Sequence, residues 1–392
     1  MSVAVHRGPT AKKKSVDFAS SGPDSLGGKL LRQFWQPVYV AADLARETMV
    51  PIHIMGERFT LYRGASGTAH VVGFRCPHRN TQLSPGWVRG DAVQCLYHGW
   101  TFDGEGRCIA RPGEQPPGPC AHVSLPAYPT REHAGLIYAY FGPGEPPAFP
   151  EIPGFEPVGL IENLAIDFPC NWFQTYENQV DEVHAAFVHS YSRSHIALGR
   201  EQALPETLVT ETDYGFDRVT WSGDGPKRLC VYPFPNHMRM SMGMMALGLP
   251  RPLDGFLTLV PTDDENHILF MSFHVPQVTD PEAIAAHREK QVTLRARFKD
   301  FPPPGDVARD ILDGKATLRD AMDHPLRTTI EDIVAQLGQG PIHDRTKEVL
   351  GRSDVGIAVL RKVFERELRA IAEGRPGKNW RLSDMPTPTT GF

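Results

Sequence analysis

The sequence lacks several features that would assign its 392 residues to a class at once. No uninterrupted apolar run approaches the ~18 residues that a membrane-spanning helix requires, so we do not expect an integral membrane protein. Basic residues show no excess, because 41 Lys and Arg face 46 Asp and Glu, which disfavours a nucleic-acid-binding protein. The first residues, MSVAVHRGPTAKKKSVDF, contain no apolar stretch and do not resemble a signal peptide. We therefore expect a cytoplasmic protein with neither a membrane nor a nucleic-acid partner.

Cysteine is also scarce, with six residues in the chain, which does not support a disulfide scaffold. Two of them, Cys76 and Cys95, are each followed closely by a histidine, His78 and His98. In a reducing compartment, thiols with nearby histidines are more often metal ligands than disulfide partners. The remaining cysteines fit no metal pattern and are expected to be buried thiols: Cys108, Cys120, Cys170 and Cys230.

Glycine and proline are abundant, with 36 of each, and they divide the chain into short segments. Runs rich in Val, Ile, Tyr and Phe predict strands over about 30–144, and strands return over about 207–278. A proline-rich stretch lies between these regions at 141–157. Helical patterns are found at 171–190, 282–299, 327–338 and 354–374.

We therefore predict an α+β chain with an N-terminal segment at 1–40, an all-β domain at 41–145 and a second domain at 146–392. The second domain should contain an antiparallel sheet flanked by helices.

The first potential metal site consists of the loops Cys76-Pro77-His78 and Cys95-Leu96-Tyr97-His98, with 16 residues between His78 and Cys95. Structural zinc sites usually group like ligands, with a cysteine pair followed by a histidine pair. In a Rieske [2Fe–2S] cluster, one iron has two cysteines and the other has two histidines. Mixed loops fit the Rieske distribution better, because each loop then supplies one ligand to each iron.

A second group of residues contains Asp181, His184 and His189, of which the two histidines are potential metal ligands. Non-haem Fe(II) that activates dioxygen is bound by two histidines and one carboxylate, which leaves open positions for O2 and substrate. The two histidines are five residues apart, so a straight α-helix would direct them ~140° apart. A π-bulge or a helix end must therefore separate them if both bind one ion. We place Asp181 on the same helical face as His184, where its carboxylate could accept the ring N–H of a metal-bound histidine.

The motifs CPHR and QCLYHGWTFDGEGRC, followed by NWFQTYENQVDEVHAAFVH, resemble those of the Rieske non-haem iron oxygenases. The resemblance extends from about residue 30 to about 374, and LLRQFWQPVYVAADL with the cluster region is most similar to the phthalate-dioxygenase-type branch, whose oxygenase has α subunits alone. It implies an N-terminal Rieske domain with a [2Fe–2S] cluster and a C-terminal catalytic domain with mononuclear Fe(II). The ligands that the resemblance implies for the two centres are Cys76, His78, Cys95 and His98 for the cluster, and His184 and His189 for Fe(II).

The third Fe(II) ligand should be an acid in the C-terminal helices, where the candidates are Asp310, Asp313, Asp320, Asp323, Glu331 and Asp332. In the resembling family this ligand follows another polar or acidic residue, well over 100 residues after the histidine pair. Asp332 fits that description, with Glu331 as the neighbouring alternative. The resemblance also implies a polar residue beside the iron, at Asn178.

The resemblance implies a terminal oxygenase that hydroxylates an aromatic substrate with O2 and electrons from an external reductase or ferredoxin. The substrate would be an aromatic acid or a related ring compound, and NAD(P)H would be used by the reductase, because no G-x-G-x-x-G motif follows a strand. A homotrimer, or stacked trimers, would bring the cluster of one subunit to the iron of the next, with Asp181 linking His98 to His184.

Two alternatives remain: an O- or N-demethylating Rieske monooxygenase, and a Rieske electron carrier without oxygenase activity. The carrier would leave the second histidine pair unexplained.

Overall fold

The computed structural model describes residues 16–114, 120, 122–156, 158–190, 204–225, 227–242 and 253–386. Its N-terminal part begins with helix α1 (Leu26–Leu31), which Ser25 caps by accepting a hydrogen bond from the backbone N–H of Gly28. Short strands follow: β1 (Gln36–Val40), β2 (Thr48–Ile54), β3 (Glu57–Arg63), β4 (Ala69–Gly73), β5 (Trp87–Arg89), β6 (Ala92–Gln94), β7 (Thr101–Phe102), β8 (Cys108–Ala110), β9 (Ala127–Tyr128), β10 (Thr130–His133) and β11 (Leu136–Ala139).

These strands form three small antiparallel sheets. Their orders are β1-β11-β10, β2-β3-β4-β9 and β5-β6-β7-β8. The predicted metal loops flank the last of them, since the loop of Cys76 precedes β5 and the loop of Cys95 connects β6 to β7. The all-β character predicted for this part of the chain is therefore observed.

The C-terminal part is built on one seven-stranded antiparallel sheet with the order β12-β18-β17-β16-β15-β14-β13. The strands follow the chain as a meander, except that the first one, β12, pairs with the last one. Their bounds are β12 (Leu160–Phe168), β13 (Glu206–Glu211), β14 (Gly215–Trp221), β15 (Arg228–Pro233), β16 (His237–Met242), β17 (Leu253–Pro261) and β18 (His267–Val275).

Helices accompany this sheet: α2 (Trp172–Val180), α3 (His184–Phe187), α4 (Pro281–Phe298), α5 (Pro304–Leu312), α6 (Arg327–Leu337) and α7 (Val355–Ala372). In α7, Leu360, Val363 and Phe364 are buried at helical spacing and face the core. The N-terminal end of α7 lies close to the end of α2, because a Cβ on Gly356 would come within 2.6 Å of the carbonyl oxygen of Val180. Glycine is needed there for the close approach of the two helices.

The main hydrophobic core joins residues of the N-terminal strands, such as Leu61, to residues of the C-terminal helices, such as Phe364. A second, smaller core lies within residues 62–125 and includes Cys76 and Cys95. The domain limits 1–40, 41–145 and 146–392 stay predictions. Among the residues that the structure describes, no helix combines the length and apolar character needed to cross a bilayer.

Three details of the sequence prediction were wrong. The predicted helix at 171–190 is interrupted, because α2 ends at Val180 and α3 begins only at His184. Strand β12 and helix α5 were missed; α5 begins at the last of three consecutive prolines, whose fixed backbone dihedrals suit the first turn of a helix but also indicate a loop.

Candidate iron sites

The two Cys–His loops share one backbone geometry. The N–H of Cys76 donates to the carbonyl of Thr81, and the carbonyl of Cys76 accepts from Asn80. In the second loop the N–H of Cys95 donates to Trp100, and the carbonyl of Cys95 accepts from Gly99. The residue four positions after each cysteine has a left-handed backbone, with φ of 56° for Asn80 and 72° for Gly99, a conformation that Asn and Gly adopt most readily.

The ligand side chains differ in their exposure. Cys76 and Cys95 are each 1% exposed, whereas His78 lies at the surface and His98 is half-buried. The imidazole rings of His78 and His98 lie 4.5 Å apart, and the indole of Trp100 stacks on His78 with an angle of 3° between the planes. A cluster bound here would have its cysteine side in the core and its histidine side toward the surface.

The donor atoms fit a Rieske cluster. The buried Nδ1 of His98 has no hydrogen-bond partner among the described residues, although buried polar atoms normally have one. Burial raises the pKa of the Cys76 thiol to about 11, so the metal-free loops hold protons that metal binding would release. Desolvation, followed by the charges of His78 and Arg79, lowers the pKa of His98 and favours the neutral imidazole that a metal requires.

The second site forms where α2 ends. Asp181 has an extended backbone, with φ of −84° and ψ of 117°, and its carboxylate accepts hydrogen bonds from the N–H groups of Val183 (2.9 Å) and His184 (3.2 Å). Asp181 therefore caps the next turn, a position that aspartate favours. Because α3 ends at Phe187, a helix end lies between His184 and His189.

The structure brings the predicted iron ligands together. The Nε2 atom of His184 lies 3.6 Å from Oδ1 of Asp332, and the Nε2 atom of His189 lies 3.5 Å from the same oxygen. One ligand atom from each residue lies within 4.8 Å of the others. Helix α6 carries Asp332 and presents it to the histidines across the fold. Two imidazoles and one carboxylate are the donor set of dioxygen-activating non-haem iron sites.

The ring Nδ1 atoms of the two histidines bind different groups. The Nδ1 of His184 lies 2.5 Å from the backbone carbonyl oxygen of Asp181, and the Nδ1 of His189 lies 3.0 Å from Oε2 of Glu331. With Nδ1 donating, each ring leaves Nε2 without a proton and directed toward Asp332. Burial also lowers the pKa of His184, which favours its neutral form.

Two expectations about this site change. Asp181 does not share a helical face with His184, and the group closest to the ring Nδ1 of His184 is the carbonyl oxygen of Asp181, since its carboxylate lies 3.9 Å away. From the sequence, Glu331 was considered only as the alternative to Asp332 for the third Fe(II) ligand, whereas in the structure its carboxylate contacts His189. Its position next to Asp332 gave no signal for this contact, because consecutive helical residues point about 100° apart.

Asn178 lies beside His184 and Asp332, and its role next to the iron stays a prediction. Its Nδ2 atom lies 3.4 Å from Nε2 of His184 and 3.2 Å from Oδ1 of Asp332. Sequence reasoning did not find Trp100, although an aromatic residue directly after the His98-Gly99 turn is a usable signal for packing against the cluster loops.

Comparison with known proteins agrees with this geometry. The Rieske [2Fe-2S] domain family matches residues 34–129. The chain is 30% identical over 384 residues to the 5,5'-dehydrodivanillate O-demethylase oxygenase subunit of Sphingobium sp. (strain NBRC 103272 / SYK-6), with 92% of this chain and 81% of that protein covered. It is 28% identical over 379 residues to the phthalate 4,5-dioxygenase oxygenase subunit of Pseudomonas putida, with 90% and 84% covered.

A solved structure has the same fold. A chain of the reduced complex between oxygenase and ferredoxin in carbazole 1,9a-dioxygenase superposes with a TM-score of 0.62 at 18% identity, covering 93% of this chain and 99% of that chain.

The fold and the two donor sets define an oxidoreductase with two iron centres. The chain belongs to the Rieske non-haem iron oxygenases, as an oxygenase subunit that carries a [2Fe–2S] Rieske cluster and mononuclear iron. The predicted α+β fold class, the resemblance to this family and the two cofactors are thereby confirmed.

Proposed function

We propose that this chain is the terminal oxygenase of a multicomponent system, in which His184, His189 and Asp332 hold the mononuclear Fe(II). The observation that carries this assignment is the convergence of their donor atoms, from two segments more than 140 residues apart, to within 4.8 Å. When bound, the iron supplies a centre at which O2 is activated. A set of two histidines and one carboxylate would leave coordination positions open for O2 and substrate.

Cys76, His78, Cys95 and His98 hold the [2Fe–2S] cluster in this proposal, and the cluster supplies single electrons. The exposed His78 and half-buried His98 form the side at which electrons enter and leave. Asn178 and Glu331 keep the catalytic site polar, since Asn178 contacts two of the iron ligands and Glu331 holds the ring of His189.

The electron donor in this proposal is a separate ferredoxin or reductase. A ferredoxin is present in the complex of carbazole 1,9a-dioxygenase, whose oxygenase has the same fold. The chain assembles as a head-to-tail homotrimer, because heterologous contacts that close by rotation bring one subunit's cluster end to the next subunit's iron site. Asp181 bridges that interface, since a carboxylate has about four acceptor positions and the two N–H groups leave others for His98 of the next subunit.

The substrate that we propose is a small aromatic acid or a related ring compound. The names of the two relatives refer to dehydrodivanillate and phthalate, which are aromatic carboxylates. The favoured reaction is ring hydroxylation. O-demethylation is a second candidate, because the relative at 30% identity is an O-demethylase.

Oxygen uptake with product analysis tests this proposal. The iron-loaded protein receives electrons from a ferredoxin and a reductase and is offered aromatic acids, methoxyarenes and aromatic amines. Substrate-dependent O2 uptake is expected, with both oxygen atoms in a ring diol for dihydroxylation, or with formaldehyde and a phenol for O-demethylation. Failure of every compound to stimulate O2 uptake by fully loaded protein would contradict the substrate class.

Iron counting separates the oxygenase from an electron carrier. We expect about three iron atoms per chain for the oxygenase and about two for a carrier, since the cluster alone accounts for two. His184→Ala and His189→Ala should each lower the count by about one while the cluster spectrum is retained. A wild-type chain that binds no iron beyond its cluster would refute the catalytic assignment.

A further inference from the structure

Side chains of the sheet, in addition to Asp181 itself, stabilise the interruption between α2 and α3. Arg218, on β14, donates through Nη1 to the carbonyl oxygen of Gln179 at 2.9 Å. The hydroxyl of Tyr232, on β15, donates to the same carbonyl at 2.6 Å. The last turn of α2 is therefore bound to the sheet just before Asp181, and the positive charge of Arg218 lies at the negative end of the helix dipole.

The residue after Asp181 is bound to the same arginine. The carboxylate of Glu182 pairs with Arg218 at 2.5 Å, and its other oxygen pairs with Arg228 on β15. The side chain of Arg218 is 2% exposed and that of Glu182 is 11% exposed, so this pairing takes place away from water. The chain is consequently anchored on both sides of Asp181, by Arg218 at Gln179 and at Glu182.

This anchoring determines where His184 points. His184 is the first residue of α3, directly after the interruption, and its Nε2 atom lies 3.6 Å from Oδ1 of Asp332. The carbonyl of Asp181 that receives Nδ1 of His184 is available only because α2 stops there. The position of the Asp181 carbonyl therefore depends on Gln179 and Glu182, which Arg218 binds before and after Asp181.

We propose that Glu182, through its pairing with Arg218 and Arg228, is a positioning residue for the mononuclear iron site. Glu182 contacts no iron ligand; it fixes the backbone turn that orients His184. This inference rests on the proposed function, in which His184 is an iron ligand.

Helix α2 offers a matched control. Glu177 is also a carboxylate between two arginines, Arg345 at 2.8 Å and Arg361 at 2.6 Å, and its side chain is 8% exposed. It lies within the intact part of α2, before the interruption. Glu177→Gln and Glu182→Gln remove the same charge from similar surroundings, so both should lower the stability of the fold, and only Glu182→Gln should disturb the turn.

The experiment measures Fe(II) affinity of the mononuclear site in the full chain, with the cluster spectrum and the denaturation midpoint recorded for every variant. We expect Glu182→Gln to weaken Fe(II) binding about 10–100-fold with the cluster intact, the range for lost indirect support of metal ligands. Glu177→Gln should bind Fe(II) as the wild type does. Glu182→Asp, which keeps the charge, should recover part of the affinity.

His184→Ala distinguishes the two proposals. If His184→Ala retains iron, the ligand assignment fails and with it the proposed function. If His184→Ala loses iron while Glu182→Gln retains wild-type affinity, only the positioning role of Glu182 fails. Equal loss of affinity in Glu177→Gln and Glu182→Gln would also overturn that role, because a general loss of stability would then explain both.

Discussion

Identical residue types have different roles in this chain because their surroundings differ. Cys76 and Cys95 lie in matching turns beside histidines, whereas Cys108 lies on a strand of the same small core and donates to the carbonyl of Ala110. Burial raises the pKa of Cys108 to about 12, so its thiol stays protonated. The position within the turn, and not burial, separates the proposed ligands from structural thiols.

Replacement of Cys76 by serine should remove the cluster, because the hydroxyl does not replace a thiolate ligand to iron. We expect loss of the Rieske absorption and electron paramagnetic resonance signals, and about two iron atoms fewer per chain. Cys108→Ser is the control from the same core and should keep both signals. A normal Rieske spectrum in Cys76→Ser would show that the loop assignment is wrong.

Glu331 and Asp332 are neighbours with separate proposed roles, one holding the ring of His189 and the other binding iron. Glu331→Gln should weaken Fe(II) binding about 10–100-fold, because a neutral amide holds the imidazole N–H less strongly than a carboxylate does. Asp332→Ala should lose the iron even at high Fe(II) concentration. The measurement is iron content against added Fe(II), and iron loss in Glu331→Ala together with retention in Asp332→Ala would reverse the two assignments.

Among the structural elements, the turn between α2 and α3 contributes most to the site. Asp181 ends one helix, caps the next turn and offers its carbonyl to His184. A single residue thus connects the end of a helix to the orientation of a proposed metal ligand, and its carboxylate has acceptor positions left for the proposed contact with a neighbouring subunit.

Replacement of Asp181 by asparagine should keep both metal sites and the proposed trimer but slow electron transfer at least ~10-fold, because the amide has one acceptor oxygen in place of two and carries no charge. Single turnover of protein with a reduced cluster measures this, as the rate of cluster oxidation after substrate and O2 are added. Iron content and oligomer mass serve as controls. Oxidation at the wild-type rate in Asp181→Asn would exclude the proposed bridge between subunits.

At the scale of the whole molecule, the main core ties the N-terminal strands to the C-terminal helices, while the two proposed iron centres lie in different parts of the chain. In the proposed head-to-tail ring, each cluster serves the iron of the adjacent subunit. Activity would then belong to the assembly and not to the single chain.

Mixed oligomers test this arrangement. Cys76→Ser lacks the cluster and His184→Ala lacks the catalytic iron, so each is expected to be inactive alone. If electrons cross between subunits, trimers reassembled from equal amounts of the two variants should regain about a quarter of wild-type activity. In random trimers, about a quarter of the interfaces join an intact cluster of one subunit to an intact iron site of the next. Absence of recovery in oligomers shown by mass to be mixed would indicate that electrons stay within one chain.

The sequence by itself determined the local chemistry. The mixed Cys–His loops indicated the cluster because their ligand order is short-range, and the two histidines five residues apart required a helix end between them, which is present after Phe187. The alternation and turn signals of the strands likewise depend on neighbouring residues, and the α+β class followed from them.

Only the tertiary structure decided which distant groups meet. Helix α6 brings Asp332 to the histidines and Glu331 to His189, across more than 140 residues of chain. Arg218 and Arg228 reach Glu182 from the sheet. No periodicity in the sequence encodes such contacts, because they depend on how elements pack after burying their apolar faces. The helical pattern of apolar residues at 171–190 continues past Asp181, and it therefore predicted that Asp181 lies on a helical face. The helix instead ends before Asp181, where Arg218 and Tyr232 anchor its last turn to the sheet.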